Sequence, residues 1–165
     1  MTPVRMGWLI AAAAFIADQA SKNFVLYILD FHALGTAARV DILPFFDLVM
    51  VWNRGISYGL FQVGSTAGTI FLIALSLIAV TLLAWWLTRA ERPILAAGLG
   101  LVIGGALGNV IDRMIYGAVA DFFHFYAFGY DWYVFNVADA AITVGVFVLL
   151  VDAFVSPEKQ SVGSR

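Results

Sequence analysis

Two aspartates, Asp121 and Asp139, are the residues of this chain best suited to chemistry. Asp121 stands in Val-Ala-Asp-Phe-Phe and Asp139 in Asn-Val-Ala-Asp-Ala, each beside a long apolar stretch. A carboxylate near a bilayer is costly to keep charged, so its presence there points to a function. Two carboxylates that come close share one proton, so that one can act as a base on water while the other polarises a carbonyl. That arrangement is typical of aspartic proteolysis, which needs neither a metal nor a cysteine.

More polar residues occur at helical spacing within the same apolar stretches, where side chains three or four positions apart share a face. Adjacent Asp112 and Arg113 are expected to neutralise each other in part, which lowers the cost of charge near lipid. The spacing of Asp18 and Lys22 also fits a salt bridge that only anchors a helix at the membrane edge. The sets are Asn109, Asp112 and Arg113 in one stretch, Asn136 and Asp139 in another, and Asp18 and Lys22 in a third.

The composition identifies an integral membrane protein. The chain has 165 residues, of which 62% are hydrophobic and 12% charged, and its mean hydropathy is +0.92. Soluble domains carry about 25% charged residues. A net charge of −2 without a basic stripe argues against a nucleic-acid partner. The absence of cysteine excludes disulfides, a thiol nucleophile and thiolate metal sites.

Four segments are long enough to cross a membrane, which takes about 20 apolar residues. The predicted spans are residues 6–29, 67–87, 94–116 and 136–155. We therefore expect an all-α membrane protein with four transmembrane helices, folded as a single domain over residues 1–165. The first span also resembles a signal peptide, but a further apolar stretch follows it, so a retained helix is favoured.

The segments between the spans are also apolar. Residues 45–52 form an extended-looking run, which predicts a small extracytoplasmic β-like or interfacial segment between helices 1 and 2. Residues 117–135 are rich in aromatic side chains, which favour the headgroup level, so this segment is expected to rest at the outer interface.

Basic residues beside the spans predict the orientation. With both termini in the cytoplasm, the polar residues described above all fall at the outer ends of their helices, and Asn53 and Arg54 join them from an outer loop. This convergence predicts one polar site near the outer surface. The cytoplasmic set would be Arg5, Arg89, Arg92, Lys159 and Arg165, against Lys22, Arg39, Arg54 and Arg113 outside.

Some patterns compete with the carboxylate pair. Residues 55–59, Gly-Ile-Ser-Tyr-Gly, fit the Gly-x-Ser-x-Gly pattern of serine hydrolases, with Ser57 as nucleophile. That chemistry needs a base, and only His32 and His124 are available, neither with an evident orienting partner. His124 lies three residues after Asp121, but no second ligand set with metal spacing exists, so we predict no metal site. A hydrogen bond from His124 to backbone or lipid is expected instead.

Two other features favour structural roles. Gly100, Gly104 and Gly108 repeat every four residues, a spacing that lets a neighbouring helix approach closely. Asp152, near the cytoplasmic end of the fourth span, is expected to reach the interface and to have no catalytic role.

Taken together, these blocks resemble the lipoprotein signal peptidases, the bacterial type II signal peptidases. They occur in that family's order and on the expected helices. Small departures, Ser57-Tyr58 in place of Ala-Phe and Ala140 in place of Ser, bear on local packing rather than on the carboxylate pair. The matching blocks are Asp-Gln-Ala-Ser-Lys at 18–22, Asn-Arg-Gly-Ile-Ser-Tyr-Gly at 53–59, Gly-Gly-Ala-Leu-Gly-Asn-Val-Ile-Asp-Arg at 104–113, Val-Ala-Asp-Phe at 119–122 and Phe-Asn-Val-Ala-Asp at 135–139.

The resemblance implies a role for each matched residue. Asp121 and Asp139 would be the catalytic pair of an aspartic endopeptidase. Asp18, Lys22 and Asp112 would support the architecture of the site. The residues around the substrate and the pair would be Asn53, Gly55, Asn109, Arg113, Asn136 and Ala138.

The resemblance further implies a monomeric enzyme of the bacterial inner membrane, surrounded by lipid and without a cofactor. It would remove the signal peptide from a diacylglyceryl-modified prolipoprotein by cutting just before the lipidated cysteine. Two other classes remain open. A proton-coupled carrier would use membrane carboxylates as a relay, although no chain of polar residues crosses the bilayer. A structural membrane subunit would leave the converging polar groups unexplained.

Overall fold

The computed structural model of this chain describes residues 1–55 and 66–155. Four of its helices are long and apolar enough to cross a membrane, as predicted. The first of these continues from α1 through a π-helical turn, Phe24–Ile28. The helices are α1 (Pro3–Asn23), α2 (Phe31–Leu34), α3 (Thr66–Leu87), α4 (Pro93–Tyr116) and α5 (Val137–Val155).

The helix α4 lies at the centre of the bundle. In its most apolar window 61% of the residues are buried, against 11% in α3 and 17% in α5. The outward faces of α3 and α5 therefore present apolar side chains, as helices do where lipid surrounds them.

Glycines bring α4 close to both of its main neighbours. A methyl group at Gly104 would meet the backbone of Ala11 in α1, and one at Gly100 would meet the backbone of Gly7. On another face, Gly98 lies against the backbone of Gly145 in α5. The prediction that the glycine repeat serves helix packing is thus confirmed.

The ends of α4 are set by local sequence. Pro93 occupies the first turn, where its missing N–H costs nothing. Gly117 ends the helix with φ of 71°, a left-handed conformation that favours glycine, and its N–H donates to the Arg113 carbonyl at 3.1 Å. The chain then enters a strand at Val119.

Four antiparallel strands form a small sheet at the end of the bundle where α4 finishes. The predicted extended run is β2. Residues 117–135 were expected to rest along the interface, but they contribute a strand that pairs with β2 in the register Val51↔Asp121 and Asn53↔Val119. In order across the sheet the strands are β1 (Arg39–Leu43), β2 (Phe46–Asn53), β3 (Val119–Ala127) and β4 (Tyr130–Asp131).

Two apolar cores lie on either side of a polar layer. One packs the sheet, through residues such as Met50 and Phe122, against Leu26 and Phe31 at the end of α1 and in α2. The other joins α1, α4 and the last turns of α3 around Leu99. Along α1 and α4, Asp18, Lys22, Asn109 and Asp112 lie between the residues of the two cores.

Candidate active site

Strand alternation turns Asp121 towards the helices. Its neighbours Ala120 and Phe122 belong to the core under the sheet, so Asp121 points to the opposite face. Asp121 is 1% exposed, and both of its oxygens accept hydrogen bonds. The side-chain amide of Asn136 donates to one oxygen at 2.7 Å, and that of Asn53 donates to the other at 3.0 Å.

Asp139 lies in the first turn of α5, held by a reciprocal cap. The Asp139 backbone N–H donates to the Asn136 side-chain oxygen at 2.9 Å, and the Asn136 N–H donates to an Asp139 carboxylate oxygen at 3.3 Å. The other carboxylate oxygen accepts from the Asn109 amide at 2.9 Å. A helix N-terminus favours negative charge, so this position suits an ionised carboxylate.

Asn136 joins the two aspartates. It is fully buried, and the same side chain that accepts from Asp139 donates to Asp121. Its amide also lies 3.2 Å from the Asn109 side-chain oxygen. The two carboxylates, brought from a strand and from a helix, therefore belong to one hydrogen-bonded network.

The environment of Asp121 favours its protonated form. Burial, and after it the nearby charge of Asp139, together raise the pKa of the Asp121 carboxyl to about 8. Hydrogen bonds from Asn53 and Asn136 oppose that shift but do not reverse it. At neutral pH Asp121 therefore holds a proton that it can donate.

Beneath the two aspartates, Lys22 is the centre of a buried charge cluster. Its ammonium lies 2.8 Å from an Asp18 oxygen, 2.9 Å from an Asp112 oxygen and 3.1 Å from the Asn109 side-chain oxygen. These three contacts match the three donors of an ammonium. Asp112 was expected to be neutralised in part by the adjacent Arg113, but the ion pair that it forms is with Lys22. The pair of Lys22 and Asp18 does more than anchor one helix, since both side chains are buried and Lys22 also pairs with Asp112.

The two aspartates of this cluster each hold the backbone next to a candidate catalytic residue. Asp112 accepts a hydrogen bond from the N–H of Ala120 at 3.0 Å, one residue before Asp121. Asp18 accepts from the N–H of Ala138 at 2.9 Å, one residue before Asp139. The cluster thus fixes β3 and α5 relative to α1 and α4, which agrees with a supporting role.

Arg113 holds the chain that follows β2. Its guanidinium donates to the Gly55 carbonyl at 2.9 Å and to the Asn109 carbonyl at 3.4 Å. The Gly55 N–H in turn donates to the Asn53 side-chain oxygen at 3.0 Å. These bonds orient the Asn53 amide towards Asp121.

A cavity of about 260 Å³ opens between α3, α4 and α5 beside this network. Its polar lining comes from Asn53, Asn109, Arg113 and Asp139, with Ser76 on the α3 side. The rest of its wall is apolar and consists of Leu72, Leu75, Ala106, Val119 and Ile142. Asp139 therefore faces a space in which a peptide could lie.

The competing residues do not join this site within the part of the chain that the structure describes. Ser57 falls outside the described residues. His124 was expected to hydrogen-bond to backbone or lipid, and this was wrong. The Nδ1 atom of His124 lies 2.8 Å from an oxygen of the buried Asp47 carboxylate. Over residues 1–55 and 66–155, no group of three or more His, Cys, Asp or Glu side chains could hold a metal.

Asp152 is buried in the protein and is paired with a cation. It lies 2.6 Å from the guanidinium of Arg92, just before α4, at the end of the bundle opposite the sheet. A polar residue there had an available partner that the spacing along one helix could not reveal.

Sequence reasoning missed three parts of the site. The first is the cap of α5, which the pattern Asn-x-x-Asp before an apolar run could have revealed. Gln19 donates to Asp18 at 3.1 Å and lies 3.4 Å from the Gly108 carbonyl, a role with no sequence signal. The hydroxyl of Tyr133 lies 3.5 Å from the Asn53 amide. From the sequence, Tyr133 was only one of several aromatic residues in the segment 117–135.

The family model for signal peptidase (SPase) II matches residues 10–155 of the chain. The lipoprotein signal peptidase of Nitrobacter hamburgensis is 52% identical over 158 residues, covering 93% of this chain and 94% of that protein. The lipoprotein signal peptidase of a Methylobacterium species (strain 4-46) is 44% identical over 165 residues, covering 100% of this chain and 98% of that protein.

Two solved structures of bacterial membrane enzymes share the fold. One superposes with a TM-score of 0.79 at 24% identity, covering 96% of this chain and 93% of that one. The other has a TM-score of 0.76 at 26% identity, with coverage of 92% and 94%. The family match identifies an enzyme, so the carrier and structural-subunit interpretations are excluded. The chain belongs to the signal peptidase II family, multi-pass membrane proteases that remove signal peptides from prolipoproteins.

Proposed function

We propose that Asp121 and Asp139 are the catalytic pair of this enzyme. The observation that carries the proposal is the bridge made by the fully buried Asn136, whose side-chain amide donates to the Asp121 carboxylate and whose backbone N–H donates to the Asp139 carboxylate. Paired carboxylates in unequal environments are the usual basis of acid and base roles. Here one carboxyl is protonated by burial, and the other lies at a helix N-terminus and faces the cavity.

The unequal environments support a different role for each residue. Asp139 takes a proton from a water molecule, which attacks the scissile carbonyl. Asp121 donates its proton to the carbonyl oxygen as the tetrahedral intermediate forms. Collapse of the intermediate breaks the C–N bond as the proton on Asp139 goes to the leaving amine and a hydroxyl of the intermediate returns a proton to Asp121. The peptide is never attached covalently to the enzyme.

We further propose that the substrate is a diacylglyceryl-modified prolipoprotein, cut just before the lipidated cysteine. The mixed lining of the cavity supports this proposal. Its polar end would bind the peptide backbone, while Leu72, Leu75 and Ile142 offer an apolar wall. The outward faces of α3 and α5, largely unburied and apolar, would meet membrane lipids.

The enzyme would lie in the bacterial inner membrane as a monomeric single domain, with both termini in the cytoplasm and the site near the outer face. The distribution of basic residues supports this orientation. At the end of the bundle far from the sheet, Arg92 lies just before α4 and Arg89 just after α3. Arg5 lies near the start of α1, which packs beside the start of α4. Asp152, close to the end of α5, pairs with Arg92 at that same end.

Cleavage of a defined precursor tests the substrate. Purified enzyme should convert a diacylglyceryl-modified precursor into a product whose mass begins at the modified cysteine, and it should leave the unmodified precursor uncut. Equal cleavage of both forms, or a cut elsewhere in the chain, would overturn the proposed specificity.

Single cysteines test the orientation, because the chain has none of its own. Asp41→Cys on β1 and Arg89→Cys after α3 are both in exposed positions. A maleimide that cannot cross membranes should label Asp41→Cys in intact spheroplasts and Arg89→Cys only after lysis. The reverse pattern would place the site at the cytoplasmic face.

A further inference from the structure

Ser76 is an unusual residue for its position in α3. The helix is otherwise almost entirely apolar, yet the Ser76 side chain lines the cavity together with Asn109 and Asp139. None of the roles described above involves it.

The depth of Ser76 matches that of the candidate catalytic network. Near the sheet, the Thr69 hydroxyl lies 3.4 Å from the Gly117 carbonyl, which aligns α3 with the end of α4. Ser76 follows Thr69 by seven residues and Asn109 precedes Gly117 by eight, so both lie roughly 10–12 Å below that contact. Ser76 therefore stands on the wall of the cavity across from Asn109, which donates to Asp139.

The hydroxyl of Ser76 is not used by its own helix. Thr81, one turn further along, donates to the Leu77 carbonyl at 2.8 Å, as hydroxyls in apolar helices usually do. Within residues 1–55 and 66–155, the Ser76 hydroxyl makes no such bond. A hydroxyl that lines a cavity at this depth thus has a donor available for a bound molecule.

A peptide in this cavity needs such a donor. Water can reach the scissile carbonyl only if the surrounding residues leave helical structure. Unwound backbone at membrane depth carries unpaired C=O groups, which are costly unless protein groups satisfy them. On the α4 and α5 side, Asn109 already donates to Asp139, while the α3 side offers Ser76.

We infer that the Ser76 hydroxyl donates a hydrogen bond to a backbone carbonyl of the substrate on the signal-peptide side of the scissile bond. Ser76 is thus a positioning residue that holds the peptide from the wall opposite Asn109. The inference rests on the proposed function, because it requires the substrate to occupy this cavity.

The first test compares Ser76→Ala with Thr81→Val on a diacylglyceryl-modified peptide. Loss of one neutral hydrogen bond should lower kcat/KM of Ser76→Ala by about three- to tenfold. Thr81→Val removes a hydroxyl from the same helix that already has an intrahelical partner, so it should cleave at the wild-type rate. Wild-type kcat/KM in Ser76→Ala would overturn the inference.

The second test separates a substrate contact from a packing effect. Three peptides are compared, and in each a different one of the three amide bonds before the cleavage site is replaced by an ester. The replacement weakens the carbonyl as a hydrogen-bond acceptor. In wild type one of the replacements should reduce kcat/KM, and Ser76→Ala should be insensitive to that same replacement. Equal sensitivity in both enzymes would overturn the inference. Failure of wild type to cleave any lipid-modified peptide would instead overturn the proposed function itself.

Discussion

Asn136 and Asp139 exchange two hydrogen bonds at the start of α5, and this exchange fixes one candidate catalytic carboxylate. The Asp139 N–H lies 2.9 Å from the Asn136 side-chain oxygen, and the Asn136 N–H lies 3.3 Å from an Asp139 oxygen. The remaining amide of Asn136 donates to Asp121. One residue thus caps a helix and connects the two carboxylates, so its two functions can be separated by substitution.

We predict that Asn136→Ser and Asn136→Ala differ in stability but not in their loss of activity. Serine can still accept from the Asp139 N–H, whereas alanine cannot, and loss of a cap costs about 1 kcal/mol. Neither residue can donate to Asp121 as the amide does. The unfolding temperature of Asn136→Ser should be higher than that of Asn136→Ala. Both variants should cleave substrate at least tenfold more slowly than wild type. A fully active Asn136→Ser would refute the bridging role.

The raised pKa of Asp121 predicts the alkaline limit of activity. In the proposed mechanism Asp121 acts in its protonated form, so cleavage should decline as pH rises through about 8 and the carboxyl ionises. Asn53 donates to the ionised form and so lowers this pKa. Asn53→Ala should therefore move the alkaline limit to higher pH, besides slowing the reaction.

The matched control for this pH profile is Asn23→Ala, because Asn23 is exposed and its side-chain amide donates to the nearby Gln19 carbonyl. Its pH profile should coincide with that of wild type. An alkaline limit that stays in place or shifts to lower pH in Asn53→Ala would contradict the assigned role of Asp121.

Removal of the Lys22 charge should destabilise the whole site. In Lys22→Met the carboxylates of Asp18 and Asp112 remain buried without their cation, a change that typically costs about 3–5 kcal/mol. The backbone bonds that these aspartates accept from Ala138 and Ala120 should loosen with it. Arg5→Met, at an exposed position of α1, is the control and should unfold like wild type. Equal unfolding temperatures for the two variants would show that the cluster does not support the fold.

The close contact of α1 and α4 predicts a steric effect at Gly104. A side chain there would meet the backbone of Ala11, which cannot move aside. Gly104→Val should therefore force the helices apart and lower the unfolding temperature. Ala12→Val, on an exposed face of α1, should have little effect. Similar behaviour of the two variants would rule out tight packing at this seam.

The helices and most of the site residues could be predicted from the sequence. The length of each apolar segment predicts its membrane span. Helical spacing, together with the predicted orientation, places Asp18, Lys22, Asn109 and Asn136 at one depth. Strand pairing was less visible. Asp121 pairs opposite Val51, 70 positions away, and aromatic composition alone does not distinguish a strand from an interfacial segment.

The partners of buried charges could not be predicted from spacing within one helix. Asp112 and Arg113 are adjacent in sequence, yet they diverge around α4, so Asp112 meets Lys22 of α1 while Arg113 donates to Gly55. Asp47 and His124 likewise meet only because β2 and β3 place them opposite each other. Such contacts depend on the tertiary packing that the sequence does not state.

Cleavage of a diacylglyceryl-modified precursor by Asp121→Asn and Asp139→Asn measures whether the two carboxyl groups are catalytic. Asparagine keeps the shape of each side chain and removes the titrating group, so both variants should fold as wild type does and lose about 10²–10⁴-fold in rate. Asp131→Asn, at an exposed site on β4, and Ser57→Ala should remain active. Cleavage at the wild-type rate by Asp121→Asn or Asp139→Asn would contradict the proposed roles of these aspartates. So would an inactive Ser57→Ala, if the wild-type enzyme accumulates an acyl-enzyme and this variant does not.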